Sequence, residues 1–161
     1  MKPFIFFLVL FPGILFSSLF LVGFQQSWYA EQPATRLAYQ QLGQERVVEQ
    51  TENLLQFLVG QSRLQPEFYT LKELAHLIDV RRLLLVAQIW TTLSMFALLS
   101  LSVRFAAQFG LSRYLYDISL ASAGCSLAYV LLALLFWLDF DTLFLNFHHW
   151  IFANDFWLLD P

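Results

Sequence analysis

The run Leu83-Leu84-Leu85-Val86-Ala87-Gln88-Ile89-Trp90-Thr91-Thr92-Leu93-Ser94-Met95-Phe96-Ala97-Leu98-Leu99-Ser100-Leu101-Ser102-Val103 decides the fold of this chain. It carries no charge from one end to the other and is bounded by Arg82 and Arg104. About 20 mainly apolar residues suffice for a helix to cross a bilayer, and this run supplies them. Working outward, two more charge-free gaps lie between Lys2 and Glu31 and between Asp117 and Asp139. Spans are therefore expected at about residues 4–24, 83–103 and 118–138. Composition agrees: 58% of the residues are hydrophobic and only 13% charged, against roughly 25% charged in a soluble domain. The expected fold class is all-α, a polytopic membrane helix bundle with three spans and a helical segment between the first two.

The apolar core of the first span is longer than the roughly 7 to 15 residues of a signal-peptide h-region, and no small-x-small cleavage site follows it. An uncleaved anchor is expected. Pro12-Gly13 inside it is expected to kink the helix, because proline lacks the backbone donor and clashes with the preceding turn. Neighbouring helices then have to cover the freed carbonyl.

Three spans place residues 25–82 and the tail 139–161 on one side of the membrane, so His76 shares a compartment with His148 and His149. Lys2, Arg104 and Arg113 mark the opposite side; Arg36, Arg46, Arg63, Lys72, Arg81 and Arg82 mark the side of the large segment. Basic residues near the span ends normally set orientation, but the two sets conflict with a large translocated segment, and charge leaves the orientation open. The formal charge is -3, with no basic footprint for nucleic acid.

The segment 25–82 reads as folded and largely helical. Val47, Val48, Thr51, Leu54, Leu55 and Leu58 recur at the spacing of one helical face, with Glu45, Glu49 and Glu52 elsewhere and Gly60 as a natural stop. This amphipathic helix, residues 44–59, has no basic polar face of the kind that binds membrane surfaces; packing against the protein is the simpler reading. Further on, Thr70-Leu71-Lys72-Glu73 forms a capping box. Glu73, His76 and Asp79 then follow at helical spacing, and no breaker separates Asp79-Val80-Arg81-Arg82 from the second span. One helix is expected to run from the box into the membrane, with His76 roughly two turns above the apolar run. Asp79 can orient His76 or pair with Arg82.

Within the spans the chemistry is thin. Cys125 is the single cysteine, set among Ala121, Ser122, Ala123, Gly124 and Ser126, a small-residue face for helix packing. Ser94, Ser100, Ser102, Gln88 and Thr91 read as hydrogen-bonding groups. No Gly-x-Ser-x-Gly elbow, phosphate loop or His-Glu-x-x-His signature is present. Trp28, Tyr29, Trp137, Trp150 and Trp157 suit an interfacial aromatic belt. The remaining titratable groups of interest are His76 and the pair His148-His149 just beyond the third span; imidazole titrates near neutrality and serves in proton transfer or metal ligation.

Glu73-Leu74-Ala75-His76-Leu77-Ile78-Asp79-Val80, followed two spans later by Phe147-His148-His149-Trp150-Ile151-Phe152-Ala153-Asn154-Asp155-Phe156-Trp157, resembles the two sequence blocks of the bacterial lipoprotein intramolecular transacylase family. The layout from the first span to Pro161 agrees with it. The resemblance implies a single membrane domain over residues 1–161, in the bacterial plasma membrane, with segment 25–82, tail 139–161 and active site extracytoplasmic. It implies a diacylglyceryl-cysteine lipoprotein as partner besides membrane lipid. One glyceryl-linked acyl chain would move to the α-amino group of the same N-terminal cysteine, giving an N-acyl lyso-form, with no cofactor and no metal. Its two essential histidines match His76 and His148, with Asp79 and Asn154 as supporting or substrate-binding groups; His149 falls at a variable position. Asn154 is a candidate oxyanion donor, or a residue that caps or turns the tail. The family ordinarily has one further span after the tryptophan-containing block, which this sequence lacks.

Two other function classes stay open. A metal-dependent membrane hydrolase would use His76, Asp79 and His148 or His149 as ligands beside a water. A non-enzymatic membrane assembly protein would use the 44–59 helix as its contact face.

Overall fold

A computed structural model describes residues 2–158. The chain folds as α1 (Lys2–Gly23), α2 (Gln26–Ala30), α3 (Pro33–Leu42), α4 (Gln44–Leu58), a short 3-10 turn (Pro66–Phe68), α5 (Leu71–Phe109), α6 (Leu111–Leu138) and α7 (Phe140–Ile151). No strand occurs among the described residues. Helices α1, α5 and α6 are long and apolar enough to cross a membrane. Their outer faces carry large exposed side chains such as Leu93, Met95, Leu99, Leu127 and Leu131, a surface suited to lipid rather than to water.

Local chemistry explains the element boundaries. The backbone N–H of Thr70 donates to Glu73 Oε2 at 2.7 Å and that of Glu73 to Thr70 Oγ1 at 3.3 Å, the reciprocal capping box that opens α5. From there α5 continues unbroken for 39 residues, as expected where no breaker precedes the second span. Gly110, at φ +82°, separates α5 from α6, a left-handed backbone that glycine adopts without steric cost. Asp139 accepts a hydrogen bond from the Thr142 N–H at 3.1 Å and caps α7. The first half of the tail is thus a helix of 12 residues.

Two compact units divide the chain. One comprises the residues up to Ser17 together with Gln88–Ala153. In it α1 approaches α5 where a Cβ added to Gly13 would sit 3.0 Å from Ser94 Cβ, and approaches α6 where one on Gly124 would sit 3.4 Å from the Phe7 ring. Small residues at such crossings let helix backbones come close, the main source of packing energy where lipid removes the hydrophobic drive. Phe6 is fully buried, edge-on to Phe105 at 5.1 Å and Tyr114 at 5.8 Å. Ala121 and Cys125 are buried, in keeping with a packing role for that small-residue face. Helix α1 continues through Pro12; beside the proline, the Tyr129 hydroxyl donates to the Phe11 carbonyl while its ring stacks on Phe11. Asp117 is fully buried; its Oδ2 accepts a hydrogen bond from Arg113 Nε at 3.2 Å, and its Oδ1 lies at ion-pair distance, 3.1 Å, from Arg113 Nη2.

The second unit comprises Ser18–Ala87 and the tail from Asn154. The face of α4 that carries Val47, Val48, Leu54, Leu55 and Leu58 is half-buried and its glutamates Glu45, Glu49 and Glu52 are exposed, as the periodicity requires. The helix ends in a Schellman arrangement: Gly60 at φ +86° donates to the Phe57 carbonyl at 2.9 Å, and Gln61 donates to that of Gln56 at 2.8 Å. Ser62 Oγ donates to the Asn53 carbonyl and Asn53 Nδ2 to the Arg63 carbonyl, which folds the following loop back along α4. The Arg81 guanidinium lies over the Phe57 ring at 4.9 Å and joins α4 to α5. This cation–π contact is worth about 0.5–1 kcal/mol where exposed and more when dry.

The tight α1–α5 crossing makes a direct prediction. Gly13→Ala should lower thermal stability in detergent by about 1–3 kcal/mol, the usual penalty of overpacking. Gly23→Ala, whose Cβ would meet only Leu19 at 3.7 Å, should be neutral or stabilising in the same melts.

Candidate active site

The sequence-predicted residues fall on three pieces of chain: the first turns of α5, the last turn of α7, and the tail after α7. On α5, His76 is half-buried and Asp79 stands one turn further on, also half-buried. Asp79 divides its carboxylate between two partners. Oδ1 accepts from Arg82 Nη1 at 3.0 Å, and Oδ2 accepts from Asn154 Nδ2 at 3.1 Å. The Arg82 side chain is 75% exposed, so that ion pair contributes only about 0.2–1 kcal/mol. The bond to Asn154 is partly buried and joins residues 75 positions apart; a hydrogen bond to a charged group under cover is worth roughly 1.5–3 kcal/mol.

Asn154 is engaged at both ends of its amide. Nδ2 donates to Asp79, and Oδ1 accepts the backbone N–H of Phe156 at 3.1 Å, an Asx-type turn in which the side chain replaces a backbone acceptor. Trp157 follows, buried to 7% exposure. The structure therefore brings Asp79 and Asn154 into direct contact and gives Asn154 a turn-forming and positioning place. The Arg82 partner foreseen for Asp79 is present beside it.

His148 belongs to the other unit. Its Nδ1 lies 2.8 Å from the Phe144 carbonyl one turn earlier on α7. A carbonyl only accepts, so Nδ1 carries the proton and Nε2 is the basic nitrogen of the neutral ring. The ring is held between Phe144, with centroids 4.0 Å apart, and Phe152 at 5.5 Å; Phe152 is buried. Anchoring one nitrogen while flanking the ring with aromatics presets both tautomer and orientation, as a proton-transfer group requires. The adjacent His149 is exposed and lines a groove between α6 and α7, away from the aromatic slot.

Other candidate nucleophiles have local occupations. Cys125 is buried in α6. Thr92 and Ser100 return their hydroxyls to the carbonyls of Gln88 and Phe96 on their own helix, at 2.9 and 2.8 Å, the back-bonding usual for such residues in apolar helices. Glu73 is used in the capping box; burial, with the Glu73 charge as a lesser cause, pushes the Tyr69 hydroxyl above the ordinary phenol range, so that tyrosine stays neutral. Among the described residues no group of three or more His, Cys, Asp or Glu side chains clusters in the manner of a metal site.

Two features escaped the sequence reading. The partnership of Asp79 with Asn154 has no local signal, because it joins distant parts of the chain. Helix α7 and the Phe144 carbonyl as partner of His148 did have one: Asp139 is a good cap, and Phe140, Phe144 and His148 recur every fourth residue, one helical face.

Stability isolates the Asp79–Asn154 contact. Asp79→Ala and Asn154→Ala should each cost about 1–3 kcal/mol, and a double-mutant cycle should return a coupling of at least about 1 kcal/mol. Arg82→Ala should stay within about 0.5 kcal/mol in the same unfolding assay.

Comparison with known proteins adds one match. A family model described as Lipoprotein intramolecular transacylase Lit matches residues 4–161. No curated protein and no solved structure matches the chain.

Proposed function

The chain belongs to the lipoprotein intramolecular transacylase family, whose model covers residues 4–161, and on that premise we propose that it performs an N-terminal acyl shift on a bacterial lipoprotein. The substrate is a diacylglyceryl-cysteine at the protein N-terminus. Its α-amine attacks the carbonyl of one glyceryl ester; a C–N amide bond forms and the ester C–O bond breaks. The amine proton passes through the enzyme to the departing glyceryl oxygen. The product is an N-acyl, lyso-form lipoprotein, and atoms balance without an external donor, oxidant or reductant. The reaction takes place at the outer face of the bacterial plasma membrane.

His148 is the base in this reading, and its anchored Nδ1 is the observation that carries it. A neutral imidazole with Nε2 unprotonated is the form able to take a proton from an ammonium or from an attacking amine. His76 is the second essential group, relaying the proton to the leaving oxygen or polarising the ester. Asp79 and Asn154 are positioning residues: their bond ties the tail that follows the His148 block to the helix that carries His76. Because amine and ester belong to one substrate molecule, the enzyme need only hold them in register; well-oriented intramolecular reactions gain on the order of 7–11 kcal/mol from proximity alone. General acid–base catalysis adds about 10²- to 10⁴-fold. A serine or thiol nucleophile is unnecessary in this scheme, in keeping with the occupations of Cys125, Thr92 and Ser100.

The test is tandem mass spectrometry of a reporter lipoprotein co-expressed with the chain. Substrate and product are isomers, so fragmentation that locates the acyl group on nitrogen or on glycerol must be read, not intact mass. Wild type should give the N-acyl form, while His76→Ala and His148→Ala should each lower conversion by about 10² or more. Retention of the diacyl isomer with wild type, or N-acylation by both variants, refutes the proposal. Loss of activity on chelation would favour the metal-dependent hydrolase instead.

A further inference from the structure

The two adjacent histidines face different surroundings. His148 sits between Phe144 and Phe152, whereas His149 opens onto a groove of about 550 Å³ between α6 and α7. Leu132 and Phe136 of α6 and Leu143 and Phe147 of α7 form the apolar walls, with Asn146 and His149 as the polar groups. Those two are one helical turn apart on α7, so they share one strip of its surface. The volume is in the range of about 300–1,000 Å³ common for small-molecule sites.

The walls and the polar strip restrict what can occupy the groove. Leu132 and Phe136 lie in the last two turns of α6, a helix apolar enough to cross a membrane, so this wall continues a hydrocarbon-facing surface. No lysine or arginine lines the groove among the described residues, which disfavours an anionic headgroup or a free fatty acid. An amide and an imidazole can instead donate to a neutral carbonyl. A long alkyl chain ending in an ester satisfies both demands. We propose that the α6–α7 groove seats one ester-linked acyl chain of the lipoprotein substrate, with Asn146 and His149 binding its carbonyl end. This inference rests on the function proposed above and deepens it: His148 handles the proton, while the next residue on α7 selects and places the acyl group. His149 is then a specificity residue.

The experiment uses the full chain in nanodiscs and a synthetic diacylglyceryl-cysteinyl peptide with a diazirine in one acyl chain. After irradiation, labelled residues are mapped by peptide mass spectrometry. Labelling should concentrate on Leu132, Leu143 and their neighbours, exceed that of the exposed Leu99 on α5, and fall about tenfold when Leu143→Trp fills the groove. Leu143→Ala, which enlarges it, should retain the label and guards against misfolding of the larger variant. His149→Phe should raise KM about tenfold, the loss of one hydrogen bond to substrate, with the effect chiefly in KM rather than kcat.

Equal labelling of Leu99 and the groove, equal groove labelling by a diazirine phospholipid, or indifference to Leu143→Trp overturns the proposal. If labelling follows the groove but wild type leaves the peptide as the glyceryl diester, the binding site stands and the transacylase reading fails. If acyl transfer proceeds while label falls elsewhere, the groove is refuted and the reaction stands.

Discussion

Hydrocarbon offers no partner for a backbone N–H or C=O, so a chain that crosses it must satisfy those groups within its own helices. The rest of this structure depends on that constraint. It explains three long apolar helices among the described residues and the return of Thr92 and Ser100 hydroxyls to their own helix carbonyls. Where α6 meets α1, the Tyr129 hydroxyl donates to the Phe11 carbonyl. Between such helices the hydrophobic effect supplies little, and contact at Gly13–Ser94 and Gly124–Phe7 takes its place.

The same constraint accounts for only part of α5. At 39 residues it extends for about 58 Å at 1.5 Å per residue, nearly twice the roughly 30 Å of a hydrocarbon core. Its first turns therefore belong in water or at the interface, where Lys72, Glu73, Asp79, Arg81 and Arg82 are stable. A histidine on such a helix is held by the helix itself rather than by a loop. The capping box fixes where this helix begins, and the Asp79–Asn154 bond brings the distant tail to it. In α7 the same economy recurs: the helix supplies both the scaffold of His148 and, through the Phe144 carbonyl, the acceptor that sets its tautomer.

Legibility followed the range of the interaction. The unbroken course of α5, the half-buried face and glycine stop of α4, and the capping box were readable because each is decided within a few residues by charge, period or cap. Helix α7 was equally local, and its signals were present: Asp139 caps it, Phe140, Phe144 and His148 share one face, and Thr142, Asn146 and His149 share another. For the site, the two histidine blocks stood out by their resemblance to a family, and the match of that family over residues 4–161 bears out the recognition. Residue roles did not follow from it. Asn154 read equally as an oxyanion donor or a turn former, and only its two hydrogen bonds place it in a turn tied to Asp79.

By itself, then, the sequence determined the helical class, the number of helices able to cross a membrane and the family. Charge-free length, helical period and motif spacing are properties of consecutive residues. Tertiary structure alone decided which side chains meet: Asp79 with Asn154, Gly13 with Ser94, Tyr129 with Phe11, and His149 with the α6–α7 groove rather than with the slot of its neighbour. Such pairings depend on how helices cross and on the roughly 100° turn between successive residues of one helix, and no local pattern encodes the packing that selects them.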